Sequence, residues 1–266
     1  VPQASQEKAR FIALFGEFEA TCLPLSWQGG HLRFWLKGEA DDCFLATEYC
    51  GERAYEVRTG VEPPEGLSWV RYALSGPVDQ LVLKAGLPTR PVFVRTLMPI
   101  VLPPRARAAF YVSLPLAVEI GARMRGDREE TVMLDTLLTQ RLSDSWYGDT
   151  MKGEYCFSLK SRARRELGDT APEANDARAK VWMENLAPES FRFDKFCIHT
   201  DPLALYLSGD GFWTSTTTMT RKEQADQLHF QVGKEPPLAN LKLSASPRRE
   251  TAHGLFHLPF ATPWTR

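Results

Sequence analysis

Large apolar residues recur at every second position through most of this chain. From residue 110 to 120, Phe110, Val112, Leu114, Leu116, Val118 and Ile120 alternate with Tyr111, Ser113, Pro115, Ala117 and Glu119. A period of two puts the first set on a core face of a β-strand and the second on the opposite face. Pro115 cannot donate to a ladder, so an edge or a bulge is expected there. Leu32/Phe34/Leu36, Val70/Tyr72/Leu74, Tyr155/Phe157/Leu159, Ala179/Val181/Met183 and Leu228/Phe230/Val232 repeat the pattern. These read as half-buried strands of the antiparallel kind.

Turn chemistry divides the strands. Asp210-Gly211 predicts a hairpin between residues 203–207 and 212–219, and Gly29-Gly30 predicts another between 22–27 and 31–37. Residues 5–18 hold a short amphipathic helix interrupted by Gly16. Residues 127–142 open with an Asp127-x-x-Glu130 cap signature and continue with Leu134, Leu137 and Leu138, which local rules make a helix. Gly86, Pro88 and Pro91 punctuate a break between two strand-rich regions, and residues 166–178 read as a long exposed loop. The expected divisions are an N-terminal β domain at 1–87, a β-sandwich domain at 88–235 and a proline-containing tail at 236–266. The tail ends in an apolar run with Leu255, Phe256, Phe260 and Trp264, too much apolar surface to stay solvated, so it is expected to dock on its own domain or on a partner.

Composition narrows the class. The 266 residues carry 32 Lys+Arg against 33 Asp+Glu, which leaves no overall field to draw nucleic acid or anionic lipid. Five Cys, an odd number without CxxC spacing, predict a reducing, cytoplasmic compartment. No leader is read at the amino terminus, and no apolar run is long enough to span a bilayer.

The stretch Ser143–Tyr147, Gly148-Asp149 and Gly153–Cys156 ("SWYGD…GEYC"), followed by Arg162, Arg164 and Arg165, resembles a motif of an uncharacterised prokaryotic family, domain of unknown function 432. The strand at 109–121 ("AFYVSLPLAVEIG") and the proline-rich crossing at 87–102 resemble two further elements of it. The resemblance runs from Leu81 to Thr220 and fades in the first eighty residues. It implies a mostly-β fold and no established enzymatic activity. Members of such a family are sometimes encoded near small mechanosensitive channels, which directs the partner expectation toward a membrane-channel-associated protein. It also implies that residues 132–142 are a strand leading into the Trp-Tyr-Gly turn, which overrides the helix cap.

Trp146, Tyr147, Asp149, Glu154, Cys156 and Arg162 form the one polar-aromatic cluster, with carboxylates, a thiol and a guanidinium that could bind a polar molecule. The plainer reading is a hairpin with Trp146 and Tyr155 packed beneath its turn. A nucleophilic Cys156 needs a base, and no His lies near it in sequence. Cys197/His199 and His253/His257 are zinc-ligand types without paired zinc-site spacing, so no metal is expected. Seven Trp raise a carbohydrate-stacking reading, with Trp35, Trp69 and Trp182 on the less apolar strand faces. No GxxxxGK[ST], GxGxxG after a strand, GxSxG or HExxH is present, and no cofactor is expected.

The sequence therefore predicts an all-β protein of two antiparallel β-sandwich-like regions with little helix. The leading expectation is a non-enzymatic binding or scaffold protein acting through protein–protein contacts, at the Trp146–Arg162 cluster or the Leu255–Trp264 tail. A carbohydrate or small-ligand module and a cysteine-dependent enzyme are the alternatives.

Overall fold

The computed structural model describes residues 2–148, 150–151, 153–170, 172–222, 227–250 and 256–259. At 2, 127–129, 160–162, 227 and 256–259 it describes the backbone alone. The chain gathers into two units. Unit one comprises Val1–Pro88, Pro115–Arg141 and Glu173–Asn175, and unit two comprises Thr89–Leu114, Leu142–Pro172 and Asp176–Arg266.

Unit one opens with the helix α1 (Pro2–Ile12). Eleven residues are too few to hold a helix alone in water, and docking supplies the rest. Phe11, fully buried, meets Trp27 edge-on at 6.4 Å and Tyr55 at 5.9 Å. The Trp27 indole N–H donates to the Leu14 carbonyl at 3.1 Å. Strands are numbered in chain order. β2 (Leu25–Glu39), β3 (Asp42–Thr59) and β4 (Trp69–Ala73) form a three-stranded antiparallel sheet. A second sheet has the order β1 (Gly16–Glu19), β5 (Val78–Gly86), β8 (Ala117–Met124) and β9 (Asp127–Leu138).

Unit two holds β6 (Val92–Leu102), β7 (Arg107–Pro115, its last residue assigned to unit one), β10 (Ser143–Tyr147), β11 (Glu154–Ala163), β12 (Asp176–Asn185) and β13 (Phe191–Ile198). It continues through β14 (Leu205–Ser208), β15 (Gly211–Thr214), β16 (Thr217–Arg221), β17 (Gln227–Val232), β18 (Lys242–Ala245) and β19 (Phe256–Pro259). One sheet has the order β10-β11-β6-β13. The other runs β18-β14-β15-β12-β16-β17-β19, with β7 also on β12. β15 and β16 are two halves of one line parallel to β12, since Ala177 faces Phe212 and Val181 faces Thr217.

The mainly-β reading holds, and Asp127–Leu138 is a strand rather than a helix. The pairing does not reduce to two antiparallel sandwich-like regions. Among the described residues there are four sheets, and β11 on β6, β12 on β15 and β12 on β16 are parallel. Side-chain alternation is the same for either direction of a half-buried strand. Pro115 closes β7, and the chain restarts as β8 in a different sheet.

Three local expectations are corrected. Gly29-Gly30 is no hairpin: β2 runs straight through it with a register shift between Gly30 and Leu32. A Cβ on Gly29 would run into the Trp27 indole, and Gly30 has φ +70. The pair serves a bulge beneath a buried aromatic, and the chain reverses instead beyond Glu39, where Ala40 takes φ 51. Val70 is exposed, because β4 is the outer strand of its sheet. The loop at 166–178 is not exposed throughout. Asn175 is buried, its amide donates to Thr139 Oγ1 at 3.0 Å, and its carbonyl accepts from Leu116 N–H at 2.9 Å.

Candidate functional site

Register in the β10-β11-β6-β13 sheet decides which chemical groups meet. Tyr147 faces Glu154 and Ser145 faces Cys156 across β10 and β11. Cys197 of β13 faces Phe93 of β6, and Phe93 faces Ser158 of β11, two residues beyond Cys156 and on its side. His199 follows Cys197 by two. Strand parity therefore collects Tyr147, Glu154, Cys156 and Cys197 on one side of one sheet, and His199, just past the end of β13, reaches Glu154 there.

Within this group, His199 Nε2 and Glu154 Oε2 lie 2.8 Å apart, and the His199 ring packs edge-on against Phe230 at 5.2 Å. The two thiols are fully buried and hydrogen-bonded to each other. Burial, the Cys156 acceptor and the Glu154 carboxylate hold Cys197 protonated, far above the ordinary thiol range. The thiol hydrogen bond from Cys197 lowers Cys156, against the opposing pull of burial. Burial first, then the Cys197 and Glu154 charges, push the Tyr147 phenol up. Cys156 also lies 3.5 Å from the Ser145 carbonyl. His199 is thus bonded to the Glu154 carboxylate, and the Cys156 thiol to a carbonyl and a second thiol.

The opposite side of the hairpin is open. Trp146 and Tyr155 face each other in register and keep 53% and 49% of their surface exposed, while Met151 in the connecting turn keeps 87%. They are not packed beneath the turn. The Arg90 guanidinium stacks on Tyr155 at 4.4 Å and on Phe157 at 5.0 Å, and pairs with Asp144 at 2.9 Å. The Tyr155 hydroxyl bonds to Asp144, which raises its pKa.

The sequence cluster is therefore divided. Tyr147, Glu154 and Cys156 turn inward, and Trp146 turns outward. Arg162 lies in β11 opposite Arg95, with its side chain outside the described residues, and Asp149 lies outside them altogether. His199 and Cys197 belong with Cys156, and their Cys-x-His spacing was the available signal. Arg90 and Asp144 carried none.

A family model described as "Protein of unknown function (DUF432)" matches residues 14–261. The chain belongs to that family. No curated protein and no solved structure matches it. The DUF432 match takes in residues of both units, including most of the first eighty, where the short motifs gave out.

The remaining candidates fall as follows. Among the described residues, no three His, Cys, Asp or Glu side chains are grouped to hold a metal ion. His253 lies outside the described residues, and His257 sits opposite His229 in β19. Of the tail residues, Phe256 opens β19, paired on β17, and Leu255, Phe260 and Trp264 lie outside the described residues. Trp35 is buried, and Arg107 covers Trp182 at 4.1 Å, so neither offers a bare stacking face. No described helix is long and apolar enough to cross a membrane.

Proposed function

We propose that this DUF432 chain is a non-enzymatic binding module, and that the outer side of the β10–β11 hairpin is its contact surface. The observation that carries this is the side-by-side exposure of Trp146 and Tyr155 on an edge hairpin, with exposed Met151 at its tip. Aromatics, Met and Arg are the residue types enriched where proteins meet, and all three are present. The inward side argues against catalysis, since its thiols are sealed from solvent and engaged with each other.

A photo-crosslinking residue at Met151 tests this, with one at exposed Val70 in unit one as control. A discrete adduct from position 151, lost in Trp146→Ala/Tyr155→Ala, is the expected result. Equal, diffuse labelling from both positions would overturn the reading.

A carbohydrate ring is the second reading, favoured by the Asp144–Arg90 pair beside two exposed rings. A glycan panel read by fluorescence, with Trp146→Phe as reference, decides it. A response that is unchanged in that variant removes it.

A further inference from the structure

The pairing of β6 with β13 is broken by a large bulge. Arg95 faces Lys195 on one side of it, and Ile100 and Val101 face Phe193 and Arg192 on the other. Between these pairs, residues 96–99 of β6 stand against the single residue Asp194. The longer strand must loop outward to absorb the excess. The Thr96 hydroxyl holds the loop closed, lying 2.7 Å from the Met98 carbonyl and 3.1 Å from the Asp194 carbonyl. β11 ends at Ala163, opposite Thr96.

The bulge carries apolar side chains into solvent. Leu97 keeps 53% and Met98 70% of its surface exposed, Pro99 is exposed beside them, and Val101 keeps 58%. The groups that flank them are cationic. Arg95 and Arg192 are exposed and Lys195 is half-buried, against one acid, Asp194. Among the described residues none of these three cations is in an ion pair, and Arg95 only rests on the Phe93 ring at 5.4 Å. This combination selects the occupant. An added β-strand is disfavoured, because Pro99 has no N–H to offer and Thr96 engages the Met98 carbonyl. An outward apolar tip flanked by cations instead suits the boundary of an anionic bilayer, where apolar side chains enter the acyl region and cations meet phosphates.

We propose that this bulge attaches the chain peripherally to an anionic lipid surface, with Leu97 and Met98 in the boundary region and Arg95, Arg192 and Lys195 on lipid phosphates. The attachment goes beyond the reading of the β10–β11 hairpin and does not depend on it. The balanced charge of the whole chain does not oppose it, because attraction to a charged membrane is local and fades within about 8 Å in physiological salt. Each cation held near such a surface contributes about fivefold in binding, so the three contribute about a hundredfold.

Flotation of the full chain with vesicles tests this, using phosphatidylcholine alone and an equal mixture of phosphatidylcholine and phosphatidylglycerol. The parent is expected to float with the mixed vesicles and to stay behind with the neutral ones. Arg95→Gln/Arg192→Gln/Lys195→Gln should weaken binding about a hundredfold. Leu97→Ser/Met98→Ser should weaken it roughly tenfold, from lost apolar burial. Trp146→Ala/Tyr155→Ala should bind as the parent does. Thermal melts matching the parent establish that the variants are folded, and Met98→Ser alone, at the most exposed of these positions, repeats the test with the least demand on the fold. A parent that leaves the mixed vesicles bare, or serine and glutamine variants that bind like it, would overturn the inference. So would a discrete protein adduct from a photo-crosslinking residue at position 98 without vesicle binding, which would make the bulge a protein contact.

Discussion

Glu154 and His199, 45 residues apart in the chain, meet at 2.8 Å beside a pair of buried thiols. Their partnership exists only because β6 lies between β11 and β13 in one sheet. A half-buried charged hydrogen bond of this kind contributes about 1–3 kcal/mol. Glu154→Gln and His199→Gln are each expected to lower stability by about 1 kcal/mol in urea unfolding. The double variant should cost clearly less than their sum, since either single change already breaks the contact. Strictly additive losses would show that the two side chains are not energetically coupled.

The two glycines of β2 should behave unlike an ordinary strand glycine. Gly29→Ala forces a methyl into the Trp27 ring, and Gly30→Ala combines a positive φ with the Asn175 amide at 3.0 Å. Each should lose roughly 2 kcal/mol or more, from overpacking and backbone strain. Gly51→Ala, with nothing within 4 Å, should be neutral or slightly stabilising. Thermal melts of the three variants separate the cases, and equal losses at 29 and 51 would contradict the bulge.

These glycines also mark where the sequence stops being informative. Gly-Gly satisfies a hairpin turn and a bulge equally well, and only the Trp27 indole, packed on Phe34 at 5.0 Å, decides between them. Alternation was decisive where a strand has one buried side: Leu32, Phe34 and Leu36 are fully buried, and β12 alternates without a fault. It was silent on strand direction, so the parallel pairings of β12 were invisible. The site was half legible. Tyr147, Glu154 and Cys156 are neighbours in sequence, whereas Cys197 and His199 join them through a β13–β6 register that no local pattern encodes. Asn175 escaped notice because polar residues in a proline-containing stretch look solvated. Its amide is instead consumed by Thr139, 36 residues away.

Asn185 is another buried amide that holds backbone together. Its Nδ2 donates toward the carbonyls of Leu102 at 3.2 Å, Pro103 at 3.0 Å and Glu189 at 2.8 Å, and its Oδ1 accepts from Ala187 N–H at 3.2 Å. Asn185→Leu keeps the volume and removes all of these bonds, leaving buried backbone groups unsatisfied. A loss of about 3 kcal/mol is expected in denaturant unfolding. Asn185→Asp keeps the acceptor but sets a negative charge against carbonyl oxygens, and should lose more at pH 8 than at pH 4. A leucine variant as stable as the parent would remove Asn185 from the supports of the fold.

Alkaline pH should weaken the chain through Cys43. This thiol is fully buried in β3, and desolvation pushes its pKa up to about 11. In an unfolded chain a cysteine ionises near 8.5. Below that value both states keep the proton and no pH dependence arises. Between about 8.5 and 11 the unfolded chain releases a proton that the folded one retains, so unfolding is favoured as pH rises. At about 1.4 kcal/mol per pH unit, the loss approaches 3 kcal/mol by pH 11. Tyr72, raised to about 12 by burial and by the Asp135 carboxylate at 3.0 Å, adds a loss of the same sign beginning near pH 10. Urea titrations at pH 8, 9 and 10 of the parent and of Cys43→Ala separate these contributions. The variant starts lower because its core has lost the sulfur, but its stability should fall less steeply between pH 8.5 and 10. Parallel curves for the two proteins would mean that Cys43 titrates in the folded chain as it does in the unfolded one.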